Sequence, residues 1–183
     1  GSGLIDAVAV LRSVRAIEPS GRIPFDDNSG ALPDTLVRRF RPSAADGGGM
    51  LLCHGRHGEI LITQRDVREF QLAKAAIRAG ISVLLAESGV GAACNLDALL
   101  IAGAFGNSIN ARNAVAVGLI PDMQLEKIRF IGNAACNGAR AVLQGGVDPG
   151  KLREWITDVR VVELGSRADF QEAFADAMRL EAV

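Results

Sequence analysis

Glycines and small polar residues follow a short apolar run in the middle of the chain and form its first candidate binding site. Residues 96–109 read LDALLIAGAFGNSI, and the apolar part ends at Gly103-Ala104-Phe105-Gly106. A run this short, closed by glycines, predicts a β-strand buried on both faces. Ligands of open α/β sheets bind beyond the carboxyl ends of strands, where small residues let a flat or phosphorylated ligand approach the backbone. The alternative is that these residues only let the next helix pack closely on the sheet.

The same order of strand, small-residue turn and helix occurs a second time. Residues 127–131 predict a strand, Gly132 begins the turn, and Asn133 is a typical N-cap for a helix that ends near Gln144. Two such units with parallel strands place both turns at the same edge of the sheet, because right-handed crossovers return the chain to the same side. The candidate ligand-binding residues at this edge are Gly103, Ala104, Phe105, Gly106, Gly132 and Asn133.

Hydrophobic spacing predicts alternating helices and strands along the chain. Thr63, followed three residues later by Asp66, predicts the start of the longest helix, with a break at Gly80 and a second piece over 81–86. Residues 24–49 predict an irregular excursion with a short strand at 36–40. The other predicted helices are 3–16, 110–117, 151–157 and 168–180, and the other predicted strands are 50–53, 59–62 and 159–164.

Gly89-Val90-Gly91-Ala92-Ala93-Cys94 resembles the start of a dinucleotide-binding fingerprint, with 81–86 as its strand. Cys94 replaces the final glycine, however, and the strand that begins at Leu96 leaves no room for the helix that the fingerprint requires. The sequence therefore favours a helix over 81–86.

The three cysteines, Cys53, Cys94 and Cys136, are too widely spaced for a Cys-x-x-Cys motif. We expect buried free thiols and no metal. The run from Cys53 to His57 could be imagined as a metal site, but zinc normally needs four ligands, and His57-Gly58 is typical of a hairpin tip.

Composition excludes several classes of partner. A net charge of −1 with 4% aromatic residues gives neither the cationic excess nor the stacking surfaces of a nucleic-acid-binding protein. No apolar run approaches the roughly 18 residues that a membrane helix needs. We expect a cytoplasmic protein that binds neither nucleic acid nor membrane. Common catalytic and phosphate-loop motifs are also absent, so the chain shows no residues for catalysis on its own.

Five blocks of the sequence resemble one known family in both order and spacing. They are GSGLIDAVAVL, ITQRDVREFQLAKAAIRAGI, LLIAGAFGNSI, AVGLIP and FIGNAACNGARAVL. The chain is similar to the C-terminal part of the ATP-dependent reductive activators of corrinoid proteins, whose larger group is often described as ferredoxin or iron–sulfur metal-binding proteins. The similarity covers nearly the whole chain except residues 24–49.

The resemblance implies an α/β fold: one ribonuclease-H-like half of an actin-like ATPase, with a mixed sheet flanked by helices. In that family ATP with Mg²⁺ is held between two such halves, and a plant-type [2Fe–2S] domain and a linker precede them. Residues 1–183 would be the C-terminal subdomain, and the first ATPase half and the [2Fe–2S] domain would lie outside this chain. The family's nucleotide loop matches residues 103–106, with Gly-Ala-Phe-Gly in place of the usual Gly-Gly-Phe-Gly.

The resemblance also implies that the intact protein uses ATP to drive a low-potential electron into the corrinoid (cobalamin) cofactor of a partner, which is a corrinoid protein or methyltransferase. We expect this chain alone to be inactive. The alternative is a non-catalytic docking module of an iron–sulfur protein, in which the same blocks form the interface to a partner without nucleotide turnover. The sequence leaves a homodimer open.

The family resemblance makes a prediction about the gene. Upstream of Gly1 it should encode a Cys-x4-Cys-x2-Cys…Cys motif for a plant-type cluster and an Asp-Gly-Thr-like phosphate loop, because this chain holds neither. Sequencing of the locus checks this. A gene that lacked both motifs would favour the docking module.

Overall fold

The computed structural model describes residues 2–25, 32–42, 47–103 and 108–181, and helices and strands alternate in its middle part. The helices are α1 (Ser2–Ser13), α2 (Asp34–Val37), α3 (Gln64–Glu87), α4 (Ala111–Ala116), α5 (Ala134–Leu143), α6 (Pro149–Thr157) and α7 (Ala168–Asp176). The strands are β1 (Phe40–Arg41), β2 (Gly49–Gly55), β3 (Gly58–Thr63), β4 (Leu99–Ala102) and β5 (Ile128–Gly132). Single 3₁₀ turns cover Ala93–Asn95 and Leu125–Lys127.

The strands pair in both orientations. Strands β1, β2 and β3 form an antiparallel ladder in that order, whereas β4 and β5 pair in parallel. The predicted hairpin is confirmed, because Gly55 pairs with Gly58; its tip is Arg56-His57 rather than His57-Gly58, and Gly58 is the first residue of β3. The parallel arrangement of β4 and β5 is confirmed as well.

Helix α3 organises the core. Its N-terminus carries the predicted capping box: the Thr63 hydroxyl accepts a hydrogen bond from the Asp66 N–H, and the Asp66 carboxylate accepts one from the Thr63 N–H at 2.8 Å. Val67 and Phe70 are buried in one cluster with residues of α1, β2, β3 and β5. The helix is therefore fixed both at its first turn and along its apolar face.

Helix α3 is continuous over 24 residues, so the predicted break at Gly80 is wrong. A Cβ at Gly80 would lie 3.7 Å from Leu164, in ordinary contact, which shows that this half-buried position packs against another segment. Packing of this kind outweighs the modest helix cost of one glycine. Residues 81–86 are helical, which confirms the preference for a helix over a dinucleotide-binding strand.

Three further predictions are wrong in detail. Residues 34–37 form a helical turn that begins after Pro33, and only Phe40 of the predicted strand at 36–40 pairs with β2. Strand β4 is not buried on both faces: its residues alternate between half-buried and exposed, and Leu100 is 56% exposed. Residues 159–164 pair with no strand in the described part of the chain, so the predicted strand is not formed there.

A short segment after α7 is bound by side chains from two other helices. The carbonyl oxygens of Met178, Arg179 and Leu180 accept hydrogen bonds from Gln71 Nε2 at 2.7 Å, from Lys74 Nζ, and from Arg12 Nε at 3.0 Å, respectively. These carbonyls follow the last turn of α7, where no helical N–H reaches them. The side chains thus serve as a C-terminal cap that joins α1, α3 and α7.

The turn after α4 approaches the same segment closely. Gly118 has φ +72°, and a Cβ there would lie 2.3 Å from the Glu181 carbonyl oxygen. Lys74 itself is only 1% exposed. The pKa of Lys74 is lowered to about 8: burial is the largest cause, the charge of Arg78 also lowers it, and Glu181 opposes both effects.

Stability should depend on pH through Lys74. Between pH 8 and the ordinary pKa of 10.5, the folded chain binds fewer protons than the unfolded chain, so the free energy of unfolding rises with pH across that window. We expect the wild-type protein to gain stability relative to Lys74→Met from pH 8 to pH 10, with a constant difference below pH 8. Urea unfolding at several pH values measures this.

The matched control is Lys151→Met, which removes an exposed lysine on α6. Its stability difference from the wild type should not change over the same window. Parallel pH profiles for the wild type and Lys74→Met would contradict the assignment.

Candidate functional site

The two small-residue turns meet at one edge of the parallel strand pair. The Gly103 N–H donates a hydrogen bond to the Gly132 carbonyl oxygen at 2.8 Å, one residue beyond the last pairing of the ladder, Ala102 with Gly132. The expectation that both turns lie at the same edge is therefore confirmed. Their role in ligand binding stays a prediction.

Both glycines adopt backbone conformations that favour glycine. Gly103 has φ +106° and Gly132 has φ +65°. No atom of the described residues lies within 4 Å of a Cβ built at either position. Among the described residues, therefore, nothing packs against these two positions, which gives no support to close helix packing as their purpose.

Asn133 is the N-cap of α5, as predicted. Its Oδ1 accepts a hydrogen bond from the Cys136 N–H at 3.0 Å, and its carbonyl oxygen accepts one from the Asn137 N–H at 3.0 Å. The side chain is exposed at the edge. Asn133 therefore orients the first turn of α5, whose partial positive charge lies next to Gly132.

The helix that follows the first turn is positioned by α1. Asn110 caps α4 by accepting a hydrogen bond from the Asn113 N–H at 3.2 Å. Asn113 Nδ2 in turn donates to the Asp6 carboxylate at 2.6 Å, and Ala114 is fully buried. These contacts set the exit direction of the loop that joins β4 to α4.

Three of the predicted site residues, Ala104, Phe105 and Gly106, lie outside the described residues. The structure thus places Gly103, Gly132 and Asn133 together and leaves the rest of the loop as a prediction.

An apolar groove runs beside β4 and ends next to Gly103. Its volume is about 310 Å³. Its walls come from α3, β4 and the two ends of α4, and include Ile77, Ile81, Leu100, Ala102, Ile109 and Leu119.

In residues 2–25, 32–42, 47–103 and 108–181, no group of three His, Cys, Asp or Glu side chains could hold a metal ion. The cysteines are free, but all three are exposed, so the expectation that they are buried is wrong. Cys136 is exposed because it lies in the first turn of a helix whose N-terminus reaches the open edge. No helix in this described part is long and apolar enough to cross a membrane.

Comparison with known proteins assigns the chain to a family. A family model described as the C-terminal domain of RACo, the ASKHA domain, matches residues 1–183. The chain belongs to this family. The predicted α/β fold, a ribonuclease-H-like half of an actin-like ATPase, is thereby confirmed.

Two relatives of this RACo C-terminal domain are similar over nearly its whole length. The corrinoid activation enzyme RamQ of Eubacterium limosum is 34% identical over 178 residues, which are 95% of this chain and 30% of RamQ. The structure of a reductive activator for corrinoid, iron-sulfur protein superposes with a TM-score of 0.83 at 31% identity, and covers 98% of this chain and 28% of the activator. The chain thus spans less than a third of the length of either relative.

The cap at Asn133 generates a test. Asn133→Ala should lower the free energy of unfolding by about 1 kcal/mol, because it removes the acceptor for the Cys136 N–H. Asn133→Ser should retain most of the stability, since a hydroxyl can cap the same N–H. Urea unfolding of the two variants compares them, and equal losses would show that the cap bond contributes little.

Proposed function

We propose that this chain is the C-terminal nucleotide-binding half of an iron–sulfur protein that couples ATP to the reductive activation of a corrinoid protein or methyltransferase. The observation that carries the proposal is the hydrogen bond between Gly103 and Gly132, which joins two glycine turns in front of open space at the ends of parallel strands. Strand ends of this kind are where α/β sheets bind ligands.

The relatives support the corrinoid part of the proposal. RamQ is described as a corrinoid activation enzyme, and the structural relative as a reductive activator for a corrinoid, iron–sulfur protein. Both are about a third identical to this chain over nearly its whole length, and neither similarity is confined to one motif.

The edge fits one side of a bound nucleotide. Gly103 and Gly132 present backbone without side chains, and the N-terminus of α5, held by Asn133, favours negative charge. Residues 103–106 would form the loop against the nucleotide, with Gly132 and Asn133 beside it. ATP, when bound, supplies the free energy that favours one state of the complex over another.

Free energy from ATP matters because reduction of a corrinoid needs a low potential. An ATP-dependent preference of a thousandfold, about 4 kcal/mol, shifts a one-electron equilibrium by about 180 mV, at about 59 mV for each factor of ten. The described chain has no group of His, Cys, Asp and Glu side chains for a metal centre, so the [2Fe–2S] cluster would lie in an N-terminal domain outside these residues.

The Gly103→Val variant of the intact protein tests nucleotide binding. A branched side chain at the strand end should obstruct the ligand, so we expect loss of measurable ATP binding by calorimetry. The fold should still unfold cooperatively.

Gly145→Val is the matched control, because Gly145 also has a positive φ, +71°, and open space around its Cβ. Both variants should lose similar stability from backbone strain, but only Gly103→Val should lose ATP binding. Normal ATP binding by Gly103→Val, with only stability lowered, would show that the small residues serve helix packing instead of ligand binding. No ATP binding by the wild type would favour the docking module.

A further inference from the structure

Residues 159–164, VRVVEL, have the composition of a β-strand but no strand partner. Within the described part of the chain, the backbone N–H and carbonyl groups of residues 160–163 make no hydrogen bond. Val159 and Val161 are 69% and 76% exposed, whereas Val162 and Leu164 are half-buried. Inward and outward side chains thus alternate from Val161 to Leu164 as they do in a strand with one covered face.

Contacts with α3 hold this segment in place. Arg160 Nη2 pairs with the Glu87 carboxylate at 2.8 Å, and Leu164 Cδ1 lies 3.7 Å from the Cβ position of Gly80. Seven residues of helix separate these points on α3, about 10 Å, and four extended residues cover about 13 Å. These two contacts are consistent with an extended segment that runs along α3.

Unpaired backbone groups next to exposed valines form a template for another strand. The preceding turn of α6 adds Trp155 and Ile156, which are 59% and 63% exposed. The two relatives align with nearly all of this chain, yet about 70% of each relative lies outside the match.

We infer that residues 159–164 are an edge strand that pairs with a β-strand from the remainder of the same polypeptide, outside these 183 residues. This inference rests on the proposed domain organisation. The incoming strand should carry apolar side chains on the face that covers Val159 and Val161. The pairing would attach the nucleotide-binding half to the rest of the protein through residues 159–164, which contact α3.

Proline substitutions in the full-length protein test the pairing. The N–H groups of consecutive strand residues point to opposite edges, so Arg160→Pro and Val161→Pro together sample both edges. The controls Arg160→Ala and Val161→Ala lose the same side chains and keep the N–H. If the strand is paired, one proline variant should melt several degrees below its alanine control. If both prolines match their controls, the inference is wrong.

Hydrogen exchange on the wild-type full-length protein gives an independent readout. Paired amides of residues 160–164 should exchange on the order of a hundredfold more slowly than an unprotected chain. Exchange at the unprotected rate would overturn the inference. Neither measurement uses ATP or a corrinoid, so a protein that binds no nucleotide could still confirm the pairing.

A photo-crosslinking amino acid in place of Val161 identifies the occupant. We expect a crosslink within one polypeptide, to a peptide outside the 183 residues described above. A product of twice the monomer mass would identify a second copy as the partner and overturn the inference. A crosslink found only to peptides within these 183 residues would also overturn it.

Discussion

The buried Lys74 ammonium group and its neighbours Gln71 and Arg12 close the fold by capping the segment after α7. Without these bonds, three carbonyl groups would have no partner beside the core, and unsatisfied buried carbonyls are costly. The arrangement buries a cation, whose pKa falls to about 8 as a result. Gly118 completes the constraint, because only a residue without a side chain admits the segment. The positions of α1, α3 and α4 relative to one another depend on this contact.

Helix α3 then transmits this constraint to the candidate site. Its capped N-terminus and buried face fix it against the core, and its outer positions Ile77 and Ile81 line the groove beside β4. The strand ends that carry Gly103 and Gly132 are therefore held by a helix that is itself anchored by distant parts of the chain. Because the site has few side chains of its own, ligand binding there would depend on the exact position of its backbone atoms.

Local signals in the sequence were enough to predict most elements and the meeting of the two turns. The Thr63 and Asn133 caps depend on nearby residues, which the sequence shows directly. The common edge of the two turns follows from the general rule for connections between parallel strands. Burial was predicted less well. Lys74 occupies the apolar stripe seven residues after Val67, a spacing that signals its burial, yet its carbonyl partner at Arg179 is 105 residues away. Whether residues 159–164 pair as a β-strand depends on tertiary contacts, which hydrophobic periodicity does not reveal.

Strand β5 has one more residue than the ladder needs. Ile101 pairs with Phe130, but Ala102 pairs with Gly132, so Ile131 is an added residue. This bulge places Gly132, rather than Ile131, opposite Ala102, whereas a regular ladder would place Gly132 opposite Gly103. Insertions and deletions in either strand would therefore be more disruptive than substitutions. The geometry of this edge depends on the length of the two segments as well as on their composition.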